Sequence, residues 1–278
     1  MPRRHGDLLP RPPAPVLPRL RGTGERDIPW KFPSLNQVRY LCWDLLRSAR
    51  MPGSLSGLDG CFPRRAGRAW LRYLPSPRST PFTFSYLVLL LCTTLVLRFA
   101  DPVLTAKLLQ LSSTDAHNLW RRPLTSLLTS AIWIEDGGWI AYAAIFALAI
   151  APLERRFGPG RTALVFFSGH IVATLATELP VMALINTAVL PNSAGRWLDI
   201  GVSYGFLTTA GALACLARGQ ARIVALVALE LFIVLVYVVD DPGSLDSVIT
   251  MLGHVVAAHF GLLCWGPKLR ADQAKQAV

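Results

Sequence analysis

The sequence predicts an all-α polytopic membrane protein with a basic N-terminal tail, and three observations carry that prediction. Of its 278 residues 52% are hydrophobic and only 16% charged, with a mean hydropathy of +0.40; a soluble domain carries about 25% charged residues. Six long apolar runs, nearly free of charge, follow one another from residue 79 onward. The net charge of +11 is concentrated before them: residues 1–81 hold fifteen Lys and Arg against five acids.

The tail, residues 1–80, opens with a Pro/Arg-rich stretch that includes Arg11, Pro12, Pro13 and Pro15 and has no apolar core. A cleaved secretory signal needs such a core, so the composition predicts a largely disordered cytoplasmic segment. Within it, residues 35–50 place Val38, Leu41, Cys42, Leu45 and Leu46 at helical spacing beside Arg39, Arg47 and Arg50. An amphipathic helix follows, lying either on anionic lipid or against a cytosolic surface. Nucleic acid is excluded as a partner by the proline interruptions and by the lack of any recognisable binding motif. Five cysteines show neither C-x-x-C nor Cys/His spacing, so no metal site, disulfide framework or cofactor is expected.

The apolar runs are residues 79–97, 137–153, 162–177, 200–217, 223–239 and 247–267. Each is close to the ~20 residues needed to cross ~30 Å of hydrocarbon as a helix. They define a membrane domain over 81–267 and a short cytoplasmic tail over 268–278. The third run continues past Glu178 to Pro180, where a helix is expected to bend or end. Lys and Arg set the orientation: with the N-terminus inside, Arg155, Arg156, Arg161, Arg218, Arg222, Lys268 and Arg270 fall inside, while Asp240, Asp241 and Asp246 fall outside. Trp120, Arg121 and Arg122 are the exception. They lie in the long first outside loop, which is therefore expected to rest at the headgroup level. Both termini are expected on the cytoplasmic side of a bacterial cell membrane.

Polar residues inside the runs are the candidates for chemistry. The fourth run begins Asp199-Ile-Gly201-Val-Ser203-Tyr204-Gly205. This fits G-x-S-x-G, but a nucleophile elbow needs a preceding strand, and none is predicted. Gly201 and Gly205 also read as a G-x-x-x-G face for close helix approach. The sixth run carries His254 beside a second small stripe of Gly253, Ala257 and Gly261. Two small-faced helices, one with Ser203 near its outer end and one with His254, bring a hydroxyl and an imidazole within reach as an activated nucleophile. Asp199 reads as a cap for the helix beginning at Ser203 rather than as a third catalytic member. Glu230 and His259 each lie eight residues from the inner end of adjacent helices, so a hydrogen bond between them is expected, with His170 as a competing partner. A proton path through these groups would suit a small transporter, but no inverted repeat or pair of broken helices supports one.

Four stretches in order resemble the rhomboid family of intramembrane serine proteases. They are Trp120-Arg121 in the first loop, Glu154-Arg-Arg156-Phe-Gly158 after the second run, Gly201-Val-Ser203 opening the fourth, and His254-x-x-Ala257-x-x-x-Gly261 in the sixth. The resemblance covers residues 82–267. It implies a six-transmembrane-helix rhomboid-like bundle in which a Ser203/His254 dyad cleaves other transmembrane proteins within the bilayer. Two departures stand out. Tyr204 follows the serine where the family commonly has Gly, and the second run offers Gly138 and Tyr142 where the family often carries His and Asn. The resemblance therefore implies either a protease with an oxyanion hole rebuilt around Gly201, Tyr204 and Tyr142, or a pseudoprotease that only binds transmembrane helices as clients.

Overall fold

The computed structural model describes residues 74–134 and 138–276. The basic tail up to residue 73, with the amphipathic helix expected over 35–50, and the last two residues lie outside the described residues. Among the described residues there is no strand, and a helix occupies each of the six apolar runs. In chain order these are α1 (Pro81–Phe99), three short helices α2 (Pro102–Ser112), α3 (Ala116–Arg121) and α4 (Pro123–Ser130), then α5 (Trp139–Phe157), α6 (Pro159–Asn186), α7 (Ser203–Leu216), α8 (Gly219–Val239) and α9 (Leu245–Phe260). A π turn (Gly261–Trp265) carries α9 on into α10 (Gly266–Gln276). Four helical segments are long and apolar enough to cross a membrane: α1, α6, α8 and the continuous stretch Leu245–Lys275. The chain is thus an integral membrane protein. α7, with 14 residues, is a shorter apolar helix.

Local chemistry explains where helices begin and end. Gly158 takes φ +82, which stops α5, and Pro159 supplies the pre-set φ and missing N–H that suit the first residue of α6. α1 begins with Pro81, and its free N–H groups at Phe82 and Thr83 donate to the carboxylate of Glu154 at 2.7 and 2.8 Å. The Thr83 hydroxyl adds a bond of 2.6 Å to the same carboxylate. Glu154 sits in the last turn of α5 and is buried, so an anion from one helix closes the positive end of another. At the opposite end of the charge scale, Arg270 on α10 donates to the carbonyls of Cys215 and Ala217, closing the negative end of α7.

The core lies where α7 is surrounded by α5, α6, α8 and α9. Small residues set that approach. A Cβ on Gly261 would land on the carbonyl oxygen of Thr208, one on Gly211 on that of Ala258, and one on Gly169 on the Thr208 side chain. Thr208 is fully buried, and its hydroxyl lies 2.9 Å from Tyr204 O and 3.0 Å from Ala257 O, bridging α7 to α9. Beside it, Phe82, Tyr86, Phe146, Phe166 and Phe167 stack or meet edge-on, with centroids 5.1 to 6.2 Å apart. The Tyr86 hydroxyl donates to Ala131 O at 2.7 Å, tying α1 to the end of the loop helices. In contrast, α8 buries only Leu229 and Ile233.

Two sequence expectations are corrected. The helix does not end at Pro180: α6 runs 28 residues through it to Asn186. Proline removes one N–H bond there, and the flanking Glu178 and Val181 are held by burial. Gly201 and Gly205 do not share a helix face, because α7 begins only at Ser203; Gly205 instead lies under the Phe166 ring of α6.

Gly261→Val and Gly211→Val are expected to lower the melting temperature in detergent, by an overpacking cost of about 1–3 kcal/mol or more since the obstacle is backbone. Gly160→Ala, with open space around its Cβ position in α6, is expected to leave it unchanged. Differential scanning fluorimetry of the three variants checks both outcomes.

Candidate functional site

Ser203 is the first residue of α7 and is half-buried. The chain reaches it through Gly201, whose φ of +128 is a conformation that L side chains rarely adopt. Gly201 N donates to Ser130 O at 2.9 Å, fastening this turn to the end of α4. No side chain caps α7, and its first backbone bond runs from Phe206 N to Val202 O at 3.1 Å. The N–H groups of Ser203, Tyr204 and Gly205 therefore have no helical acceptor.

His254 is buried on α9, and its Nε2 has no hydrogen-bond partner. Its ring meets Tyr204 edge-on, with centroids 5.5 Å apart and planes at 78°. Tyr204 in turn covers Gly253, where a Cβ would collide with the phenol. Among the described residues no hydrogen bond joins Ser203 to His254; the residue of the first turn of α7 whose ring meets His254 is Tyr204. Tyr142 is half-buried on α5 at the edge of the core. Trp120 and Arg121 on α3 are exposed, as is Arg156.

The expectation that Asp199 caps α7 is corrected. The helix starts four residues later, too far for the carboxylate to act as its cap, and the cap residue is Val202. Asp199 instead receives the Thr114 hydroxyl at 2.7 Å, while its own N–H donates to Ser113 Oγ at 3.0 Å and its carbonyl accepts Thr114 N at 2.8 Å. It thus anchors the segment before Ser203 to the segment before α3. Burial, with a further push from Asp115 and against the Thr114 hydroxyl, raises the Asp199 pKa from 3.8 to about 6. His170 also departs from expectation. Its Nε2 lies 3.1 Å from both Ser130 Oγ and Leu127 O, so it holds α4 against α6 and takes no part in the Glu230/His259 pair.

Sequence reading missed a polar interior shared by α6 and α9. Thr174 Oγ1, Glu178 Oε2, His170 Nδ1, Ser247 Oγ and His254 Nε2 are all buried without a partner. The other Glu178 oxygen receives Trp197 Nε1 at 3.2 Å. Groups of this kind are ordinarily satisfied by buried water or used in catalysis. Nothing local marks them in the sequence, because Glu178 and Trp197 meet only after the chain has turned back. A cleft of about 120 Å³ lies elsewhere, between His117 and Trp120 of α3 and Met182 and Ile185 of α6. No group of His, Cys, Asp and Glu among the described residues could hold a metal ion.

Comparison with protein families matches residues 75–275, more than half of the chain, to the family described as "rhomboid-like protein". Comparison with curated proteins and with solved structures gave no match.

The raised Asp199 pKa has a defined sign. The folded protein keeps the proton where the unfolded chain, near 3.8, has released it, so stability is greatest below that value and declines as pH rises to about 6. Asp199→Asn keeps an acceptor for Thr114 and loses the titration. Its melting temperature in detergent is expected to equal wild type near pH 4 and exceed it above pH 6; parallel melting curves across that range check the sign.

Proposed function

Because the chain belongs to the rhomboid-like protein family, we propose that it is an intramembrane serine endopeptidase cleaving transmembrane proteins with Ser203 as nucleophile and His254 as general base. The observation that carries this reading is the buried, unpartnered Nε2 of His254, on the helix packed against α7, whose first residue is Ser203. A buried imidazole nitrogen without a partner is costly, and accepting a proton from a serine gives it a use. Catalytic hydrogen bonds are commonly long or poorly aligned before substrate arrives, so a free chain without a Ser203–His254 bond is compatible with this reading.

In the reaction the Ser203 Oγ attacks the scissile carbonyl carbon while its proton passes to His254 Nε2. The oxyanion is held by the N–H groups of the first turn of α7, with Gly201 fixing their direction and Tyr204 and Tyr142 walling the site. His254 then gives the proton to the leaving amine, and water, activated by the same imidazole, releases the acyl group. Trp120 and Arg121 anchor the first loop at the lipid surface, and Glu154 and Arg156 close the inner side of the bundle. All six apolar helices cross the bilayer in this reading, with both termini cytoplasmic and the basic tail on the inner, anionic leaflet of a bacterial membrane.

One observation favours a second reading. The missing Ser203–His254 hydrogen bond suits a non-catalytic protein that binds transmembrane clients. Labelling of the membrane-embedded protein with a fluorophosphonate separates the two. Wild type is expected to label, and Ser203→Ala and His254→Ala to lose labelling alike, with the double variant no worse than either. Full labelling of Ser203→Ala would remove it as nucleophile, and an unlabelled wild type would establish the second reading. For topology, a tag at either terminus is expected to be protected from external protease in intact cells, and one beside Asp241 to be accessible.

A further inference from the structure

We propose that residues 195–202, the segment that delivers the chain to Ser203, form an acid-locked strap: with the carboxyls beneath it protonated it is held shut over the polar interior, and with them ionised it loosens and admits water. The inference is independent of the hydrolytic reading, since it concerns the loop and not the chemistry of Ser203 and His254.

The strap is tied on both sides. Gly195 packs so closely on Ile185 of α6 and Ala116 of α3 that a Cβ there would collide with the isoleucine. Trp197 Nε1 donates to Glu178 Oε1 at 3.2 Å, and Ser113 Oγ donates to Trp197 O at 3.2 Å. Asp199 is bound through its N–H, its carbonyl and its carboxyl to Ser113 and Thr114. Beneath these bonds Glu178 is fully buried.

What the strap covers is charge without countercharge. Asp115, just before α3, is 5% exposed and Glu178 of α6 is 0% exposed, and both lie near enough to Asp199 for like charges to repel. Among the described residues no Lys, Arg or His forms an ion pair with any of the three, and no group of side chains could hold a metal ion. Asp115 accepts from the backbone N–H groups of His117 and Asn118 and from the Asn118 amide. Glu178 has only the indole, and its Oε2 is buried without a partner. Burying ionised carboxyls without cations is costly, so the sealed arrangement requires protons and the ionised one requires water.

The other groups facing this cluster bring no Lys or Arg to it. From α7, Tyr204 lies within electrostatic range of both Asp199 and Glu178, and its ring meets those of His170 of α6 and His254 of α9. Water entering beside Glu178 therefore stands one aromatic ring away from both histidines. Asp199, in the strap itself, holds its proton to about 6 where the free side chain releases it near 3.8. Opening thus becomes more favourable as pH rises from 3.8 to about 6 and changes little beyond.

Hydrogen–deuterium exchange of the full chain in detergent micelles, corrected for the intrinsic pH dependence of amide exchange, tests the strap. Protection of the Thr114, Asp199 and Gly201 amides is expected to fall roughly a hundredfold between pH 4 and pH 6 and to stay level above. The amides of α7 around Thr208 are expected to keep theirs, which separates release of the strap from global unfolding. Asp199→Asn, which cannot ionise, is expected to hold its protection across the range. Should that variant not fold, Glu178→Gln serves instead: it keeps an acceptor for Trp197, loses one repelling charge, and is expected to make the fall about threefold smaller or more. The readout is exchange and not hydrolysis, so an inert Ser203 leaves it untouched and its failure is distinct from failure of the proposed chemistry. Protection that does not change with pH in wild type, an undiminished fall in either variant, or a parallel loss around Thr208 would each overturn the proposal.

Discussion

The bundle depends on how closely other backbones approach one short helix. α7 has only 14 residues and is buried over most of its length, so it has no lipid-facing side from which to draw stability. Without a hydrophobic drive between helices in lipid, close van der Waals contact and interhelical hydrogen bonds must hold it. Thr208 is where both act. Its carbonyl lies where Gly261 has no side chain, its methyl and hydroxyl fit over Gly169, and its hydroxyl reaches Ala257 O. Gly211 repeats the arrangement against Ala258 O, and Gly266 against Cys215. A side chain on any of these glycines would press on α7, and Ser203 at its end would be displaced with it.

Charged groups finish what the small residues begin. Glu154 neutralises the exposed N–H groups of α1, and Arg270 receives the last carbonyls of α7. Both bonds link segments more than fifty residues apart, so each fixes the height of one helix against another as well as capping an end. Asp199 does the same for the loop that delivers the chain to Ser203, through Thr114 and Ser113. The position of Ser203 is thus set by three ties: the loop bonds at Asp199, the Gly201 bond to Ser130, and the glycine contacts of α7.

How much of this was legible in the sequence follows from the range of the forces involved. The six apolar runs are local patterns, and helices stand over all of them. The four-part resemblance was likewise readable, because motifs report what a site needs. Helix starts were not: α7 begins after Gly201, and this turned Gly201 from a packing residue into a turn and Asp199 from a cap into a loop anchor. Hydropathy is blind to such three-residue offsets. Gly169, Gly211 and Gly266 are unmarked in the sequence because no regular stripe includes them; only contact with Thr208, Ala258 and Cys215 shows their use. The polar interior around Glu178 was equally hidden, since its partner Trp197 comes from a loop.

The unpartnered atoms of that interior bear directly on what the fold is for. His254 Nε2, Glu178 Oε2 and Ser247 Oγ are buried with no protein partner among the described residues, and groups of this kind are ordinarily met by buried water or put to use in a site. Hydrolysis within a bilayer needs both a base and water away from bulk solvent. Both histidines of the group meet the Tyr204 ring, His254 edge-on at 5.5 Å and His170 tilted at 6.3 Å, and Tyr204 is covalently next to Ser203. On the proposed hydrolytic reading, the glycine-packed contact between α7 and α9 is what holds the helix that begins at Ser203 against the helix that carries His254.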